Sequence, residues 1–143
     1  GIYVAWLDEG TGRIKAQHLD SNGNPLWNIN GIYVTNTTAP QSSVKAVSDA
    51  SGGVILVWKD ERNFVTSGVD IYAQRLDNQG NKMWGLAGKI VTEAVTDQSQ
   101  HSIALNGSGG VVVVWRTAAA RWNRGLGAVG ISSVGSSQGS PPA

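Results

Sequence analysis

Gly52-Gly53-Val54-Ile55-Leu56-Val57-Trp58 and Gly109-Gly110-Val111-Val112-Val113-Val114-Trp115 are one phrase written twice, 57 residues apart. Two glycines, an apolar run and a closing tryptophan read as a strand entered from a tight turn. Neither run alternates apolar with polar, as a strand with one wet face does, so both predict strands covered on both faces. The same interval recurs on either side. Ile14-Lys15-Ala16-Gln17-His18-Leu19 returns as Ile71-Tyr72-Ala73-Gln74-Arg75-Leu76, and Asp20-Ser21-Asn22-Gly23-Asn24-Pro25-Leu26-Trp27 as Asp77-Asn78-Gln79-Gly80-Asn81-Lys82-Met83-Trp84. Gly31, Val34 and Thr35 return as Gly88, Val91 and Thr92, and Asp49 of one glycine turn as Asn106 of the next. A first copy of the apolar strand, Ile2-Tyr3-Val4-Ala5-Trp6, stands 52 residues before its successor, because the loop Asp8-Glu9-Gly10-Thr11-Gly12 is shorter than the one after Asp60-Glu61-Arg62.

Each period predicts four short strands; in the complete copy these are Val44–Ser48, Val54–Trp58, Asp70–Leu76 and Met83–Val91, the last broken by glycines. No stretch carries a helical period of useful length. The expected fold class is all-β, a partial β-propeller of about two four-stranded blades with a 57-residue repeat. Residues 1–116 form the repeat domain, with blade breaks near 43 and 100. Closed propellers need roughly four blades or more, so open blades of this kind call for copies of the chain or a longer polypeptide. Three chains of two blades would close a ring of about six, which favours a trimer.

Composition narrows the field. The chain has 143 residues, 41% hydrophobic and only 15% charged, with 19 Gly, 6 Trp and no Cys. Disulfide scaffolds, thiolate zinc sites and cysteine nucleophiles are excluded. No apolar run reaches a membrane span. The net charge of +1 offers no polybasic surface for nucleic acid. Gly1 opens in mid-strand without an initiating Met, which reads as a processed or partial chain.

At the hairpins a resemblance becomes specific. Asp20–Trp27 and Asp77–Trp84 resemble the Asp-box hairpin of BNR/sialidase-type β-propellers, Ser-x-Asp-x-Gly-x-x-Trp. Aligned on the tryptophan, Asp20 and Asp77 take the Ser place, Asn22 and Gln79 the Asp place, and Asn24 and Asn81 the Gly place. The wider pattern is similar to repeats of secreted bacterial, Bacteroidetes-like propeller proteins. That resemblance implies an extracellular or cell-surface setting and carries no activity with it.

The repetition stops at Arg116. Residues 117–143 are rich in Gly, Ser and Ala and hold no acid, as a frame change, a cloning junction or a degenerate linker would produce. Gly125-Leu126-Gly127-Ala128-Val129-Gly130 matches the dinucleotide fingerprint in letters, without the strand before it and helix after it that the fingerprint needs. Gly135-Ser136-Ser137-Gln138-Gly139 matches the nucleophile elbow, without a downstream His or acid.

Candidate chemistry gathers in the loops. Asp60, Glu61 and Asp70 bracket the longest loop, and Asp8 and Glu9 occupy its shorter counterpart. Oxygen ligands on loops suit Ca²⁺, which takes six to eight of them. Asp60, Glu61 and Asp70 are therefore the candidate metal ligands, and Asp8, Glu9 and Arg62 candidate binding residues. The plainer alternative is that Asp60 pairs with Arg62 within the blade, and that Asp20 and Asp77 close Asx turns. Trp6, Trp27, Trp58, Trp84 and Trp115 fall at repeat-fixed places and are expected to pin blade to blade. Two functions follow: a binding or structural module for glycan, protein or small molecule, or a Ca²⁺-dependent hydrolase of lactonase or glycosidase type.

Overall fold

A computed structural model describes residues 1–92, 98–117 and 128–134. Among the described residues ten strands lie in three antiparallel sheets, and one helical turn stands in a loop. The first sheet holds β1 (Ile2–Asp8), β2 (Arg13–Leu19) and β3 (Ile32–Tyr33). The second holds β4 (Gln41–Ser48), β5 (Val54–Asp60), β6 (Asp70–Leu76) and β7 (Lys89–Thr92) in chain order. In the third, β9 (Val111–Thr117) lies between β8 (Gln98–Leu105) and β10 (Ala128–Val134). No helix among the described residues is long and apolar enough to cross a membrane.

The continuous apolar run of β5 explains how the sheets meet. Alternate residues of a strand point to opposite faces. Val54, Leu56 and Trp58 form one core with Ile14, Ala16 and Val34 of the first sheet. Ile55 and Val57 form a second core with Ile71, Ala73 and Trp84 of their own sheet and Val111 and Val113 of the third. The second sheet is thus filled on both faces. All four of those β5 residues, and Trp58, are buried. The third sheet differs: Val112 and Val114, on the far side of β9, stay half-buried.

Repeat positions recur as geometry. A bulge lies between Ser42 and Lys45 where β4 meets β5, and again between Ser99 and Ser102 where β8 meets β9. Glycines 31 and 88 sit under the tryptophans of their own sheets at φ +74 and +75. A Cβ on Gly31 would lie 2.5 Å from the Trp6 ring, and one on Gly88 2.7 Å from the Ala73 carbonyl oxygen and 3.2 Å from the Trp58 ring. Only glycine meets both demands, the left-handed backbone and the absent side chain. Gly88→Ala is expected to lower stability by roughly 1–3 kcal/mol, the cost of a strained non-glycine backbone. Urea denaturation checks it; Gly85→Ala, at a similar φ with open space around its Cα, isolates the backbone share.

Two features depart from the sequence reading, and a third completes a sheet edge. The fourth strand of the second sheet covers only Lys89–Thr92, because residues 83–88 bow outward to receive the Gln74 side chain. Its Oε1 accepts the Trp84 N–H at 3.0 Å and its Nε2 donates to the Gly85 carbonyl at 2.7 Å. A side-chain amide stands in for the missing ladder partner. In the first sheet Gln17 does the same, accepting from the Trp27 N–H at 3.0 Å and donating to the Asn28 carbonyl at 2.6 Å. Next, the longest loop contains one helical turn, α1 (Phe64–Ser67). Last, residues 128–134 of the atypical tail pair along the whole of β9, beside which β10 takes the place β6 has beside β5. A strand edge with unpaired N–H and C=O groups accepts any extended segment that can supply partners. Residues 93–97, 118–127 and 135–143, including the nucleophile-elbow match at 135–139 and half of the dinucleotide match, lie outside the described residues.

Candidate functional site

Asp60 and Asp70 end neighbouring strands and are direct cross-strand partners, so the fold brings the two carboxylates of the longest loop side by side. Both residues are wholly buried. Burial of a charge demands compensation, and Asp60 receives it in full. Its Oδ1 accepts from the Arg62 backbone N–H at 2.9 Å and Arg62 Nε at 2.8 Å. Its Oδ2 accepts from an Arg62 terminal nitrogen at 2.7 Å and the Trp58 indole N–H at 2.9 Å. The bidentate fork is the geometry in which arginine binds a carboxylate most strongly. The guanidinium also lies 3.7 Å above the Tyr72 ring and donates to the Ala87 carbonyl.

Asp70 is less well served. Its Oδ2 accepts from Ser67 Oγ at 2.7 Å and Asn63 Nδ2 at 3.3 Å, while its Oδ1 is buried without a hydrogen-bond partner among the described residues. Asn63 reaches Tyr72 Oη at 3.0 Å as well. The helical turn owes its place to this pair, since Ser67 and Asn63 bracket it and both bind Asp70. Glu61 is exposed. Among the described residues no three His, Asp or Glu side chains converge as a metal group. Asp60, with both oxygens turned to N–H donors, is arranged for an arginine rather than for Ca²⁺.

The first sheet has a smaller version. Asp8 accepts from the Tyr33 hydroxyl at 3.2 Å and lies 3.6 Å from Lys15 Nζ. Arg13 stands where Asp70 stands one repeat later; it covers the Tyr33 ring at 3.8 Å and donates to the Thr35 carbonyl. Hydrogen bonds from Thr11 and Tyr33 together with the Lys15 charge outweigh desolvation and hold the Asp8 carboxyl below the usual range. Glu9 is exposed on the same loop.

Asp20 and Asp77 build identical turns. Asp20 Oδ1 accepts the Asn22 and Asn24 N–H groups at 2.8 and 2.9 Å, and Asp77 Oδ1 those of Gln79 and Asn81 at 2.9 and 2.8 Å. Each Oδ2 takes an asparagine side chain, Asn24 or Asn81. Asp49 and Asn106 close the other hairpins by the same device. Asp49 also pairs with Arg75 at 2.7 Å.

The tryptophans divide by position. Trp58 and Trp84 are buried, Trp27 and Trp115 half-buried, and Trp6 exposed. Trp6 departs from the core role expected of it because no sheet among the described residues lies against its side of β1. Trp115 Nε1 is buried without a partner among the described residues. The sequence supplies the reason, since Thr117 stands where Asp60 serves Trp58.

Sequence reasoning passed over the buried glutamines and His101. Gln41 Oε1 accepts the Ile14 N–H at 2.8 Å, tying the second sheet to the first, and Gln98 is buried 57 residues later. The repeat interval alone could have found them. His101 is buried on β8, its Nε2 3.3 Å from the Val57 carbonyl oxygen. Burial, with the charges of Lys45 and Lys59, pushes its pKa below the ordinary 6.5.

A pH dependence follows. As pH falls below 6.5 the unfolded chain takes up a proton at His101 before the folded chain does, so stability declines there. A second decline begins below 3.8. Burial opposes ionisation of Asp49, but the Gly53 N–H and Arg75 overcome it, and its depressed pKa makes its contribution complete above 3.8 and lost as pH drops through the folded value. Urea midpoints measured from about pH 7 to pH 5 should fall in wild type and flatten in His101→Gln.

Comparison of the chain with protein-family models, with curated proteins and with solved structures finds no match.

Proposed function

We propose that the chain is a propeller-type repeat module, about two blades of a ring completed by copies of itself, which binds glycan or protein outside the cell. Support for the ring comes from the stacking rule: the second and third sheets each lay the tryptophan-bearing side on the sheet before. The binding reading is carried by one observation. Leu26 and Ile29 flank Trp27, Met83 and Leu86 flank Trp84 one repeat later, and all four flanking side chains are exposed. A repeat usually keeps its apolar positions for the core; the same apolar pair held at the surface of two successive units is a surface made for contact. The buried Asp60–Arg62 pair belongs to the scaffold.

Binding to an immobilised glycan panel tests the reading. Ile29→Asp and Leu86→Asp are expected to weaken binding at least tenfold while leaving the melting temperature unchanged. A second reading, a Ca²⁺-dependent hydrolase, has the partnerless Asp70 Oδ1 in its favour. EDTA-sensitive turnover of ester, lactone or glycoside substrates, with a calcium-induced rise in melting temperature lost in Asp70→Asn, would replace the binding reading with that one.

A further inference from the structure

Ile2, Val4 and Trp6 occupy in β1 the places that Val54, Leu56 and Trp58 occupy in β5 and that Val111, Val113 and Trp115 occupy in β9. These residues form the front of each sheet. The front of the second sheet lies on the back of the first, and the front of the third on the back of the second. One surface is therefore used twice within the chain, against one kind of receiving surface. Its third copy is open: Ile2, Val4 and Trp6 are 59%, 36% and 37% exposed, where Val54, Leu56 and Trp58 are 1%, 1% and 0%.

The receiving surface has an open copy as well. Ile55 and Val57 fill the back of the second sheet and are buried under the third. Their equivalents Val112 and Val114 are half-buried, and Ala104, the cross-strand partner of Val112, is exposed. Among the described residues no sheet packs on the front of the first sheet or on the back of the third, and each repeats, in β1 or in β8 and β9, a surface that is covered within the chain.

We infer that the open front of the first sheet receives the back of the third sheet of a second copy, head to tail, repeating the internal sheet-on-sheet contact between molecules. This deepens the propeller-type reading and rests on it. The occupant is a second copy because Val112 and Val114 repeat Ile55 and Val57, 57 residues on, and Ile55 and Val57 fill this place within the chain. Such a contact is heterologous: each molecule uses one surface to give and another to receive, so the assembly closes into a ring if the rotation permits and otherwise extends. The charged end of the open front does not oppose it, since Asp8 is already paired with Lys15 and Tyr33.

Sedimentation velocity of the full chain, with variants at either face, tests the inference. Wild type is expected to sediment as a multiple of 15.0 kDa. Val4→Glu at the front and Val112→Glu at the back should each give monomer. Mixed in equal amounts they should recover a one-to-one dimer and nothing larger, because each keeps the face the other has lost. Ile2→Glu and Ala104→Glu, at positions already exposed, repeat the test should the first pair fail to fold by circular dichroism. Monomeric wild type, assembly that survives a change at one face, or a mixture that stays monomeric would overturn the inference. The glycan panel separates it from the reading it rests on. A monomer that still binds glycan removes the ring together with this contact and leaves the binding reading, assembly that survives a change at one face removes this contact and leaves the ring, and an assembling chain with hydrolase activity removes the binding reading alone.

Discussion

Trp58→Ala should lower stability by about 3–5 kcal/mol, the range for deleting a large buried aromatic side chain. The indole is wholly buried in the contact between the first and second sheets, packs beside Tyr72 with ring centroids 6.5 Å apart, and donates to Asp60. Its removal opens a cavity in the larger core and withdraws one of the four N–H donors that hold the Asp60 carboxylate. Trp58→Phe separates these effects: it keeps most of the apolar volume and loses the hydrogen bond, at about 1–3 kcal/mol. Trp6→Ala serves as the control, all three changes being made in the monomeric Val112→Glu background, where the equivalent ring lies at an uncovered face. Urea denaturation of the three variants is the measurement. Equal losses at Trp58 and Trp6 would show that the sheet contact does not carry the stability assigned to it.

Asp60→Ala should cost a comparable amount, about 3–5 kcal/mol, the usual result of removing one member of a buried ion pair. The substitution strands the Arg62 guanidinium and backbone N–H and the Trp58 indole N–H together, all now facing a small apolar side chain. Most of that cost is the penalty of the groups left behind. The double variant Asp60→Ala with Arg62→Met should therefore recover part of it. Salt is expected to change little, because the carboxylate is shielded from solvent and buried pairs are screened far less than exposed ones. Denaturation of single and double variants at low and high ionic strength checks each point.

The apolar letters of β5 said that both its faces are covered, and the two cores on either side of it agree. Those of β9 say the same, yet only Val111 and Val113 find a full partner. A sequence pattern records what a strand can accept, and the number of sheets present decides what it receives. The predicted strand from Met83 failed up to Lys89 because a side chain competed for the backbone. Gln74 satisfies the groups that a ladder would have used, and propensity at positions 83–88 cannot register a rival 10 residues upstream. Four residues of α1 are too few to show a period. The acidic loop was legible as a cluster of carboxylates in a chain poor in charge. The pairing of Asp60 with Arg62 was legible too, as the plainer of its two readings, and the structure bears it out; the complete burial of both Asp60 and Asp70 was not, because it depends on the packing of Trp58 and Tyr72. Asp20 and Asp77 were readable as turn residues, since an Asx turn is settled within a few residues of its own aspartate.

Because the second sheet packs on the first and the third on the second, the described residues behave more like a short stack than a sphere. In such a stack stability is nearest-neighbour in kind, and disorder enters from the ends. The second sheet, enclosed on both faces, is the last to open. In the monomeric Val112→Glu chain slow exchange of backbone amide hydrogens should centre on β5 and β6 and quicken toward β1 on one side and β8 on the other, so that the single molecule carries a clock running from its middle outward.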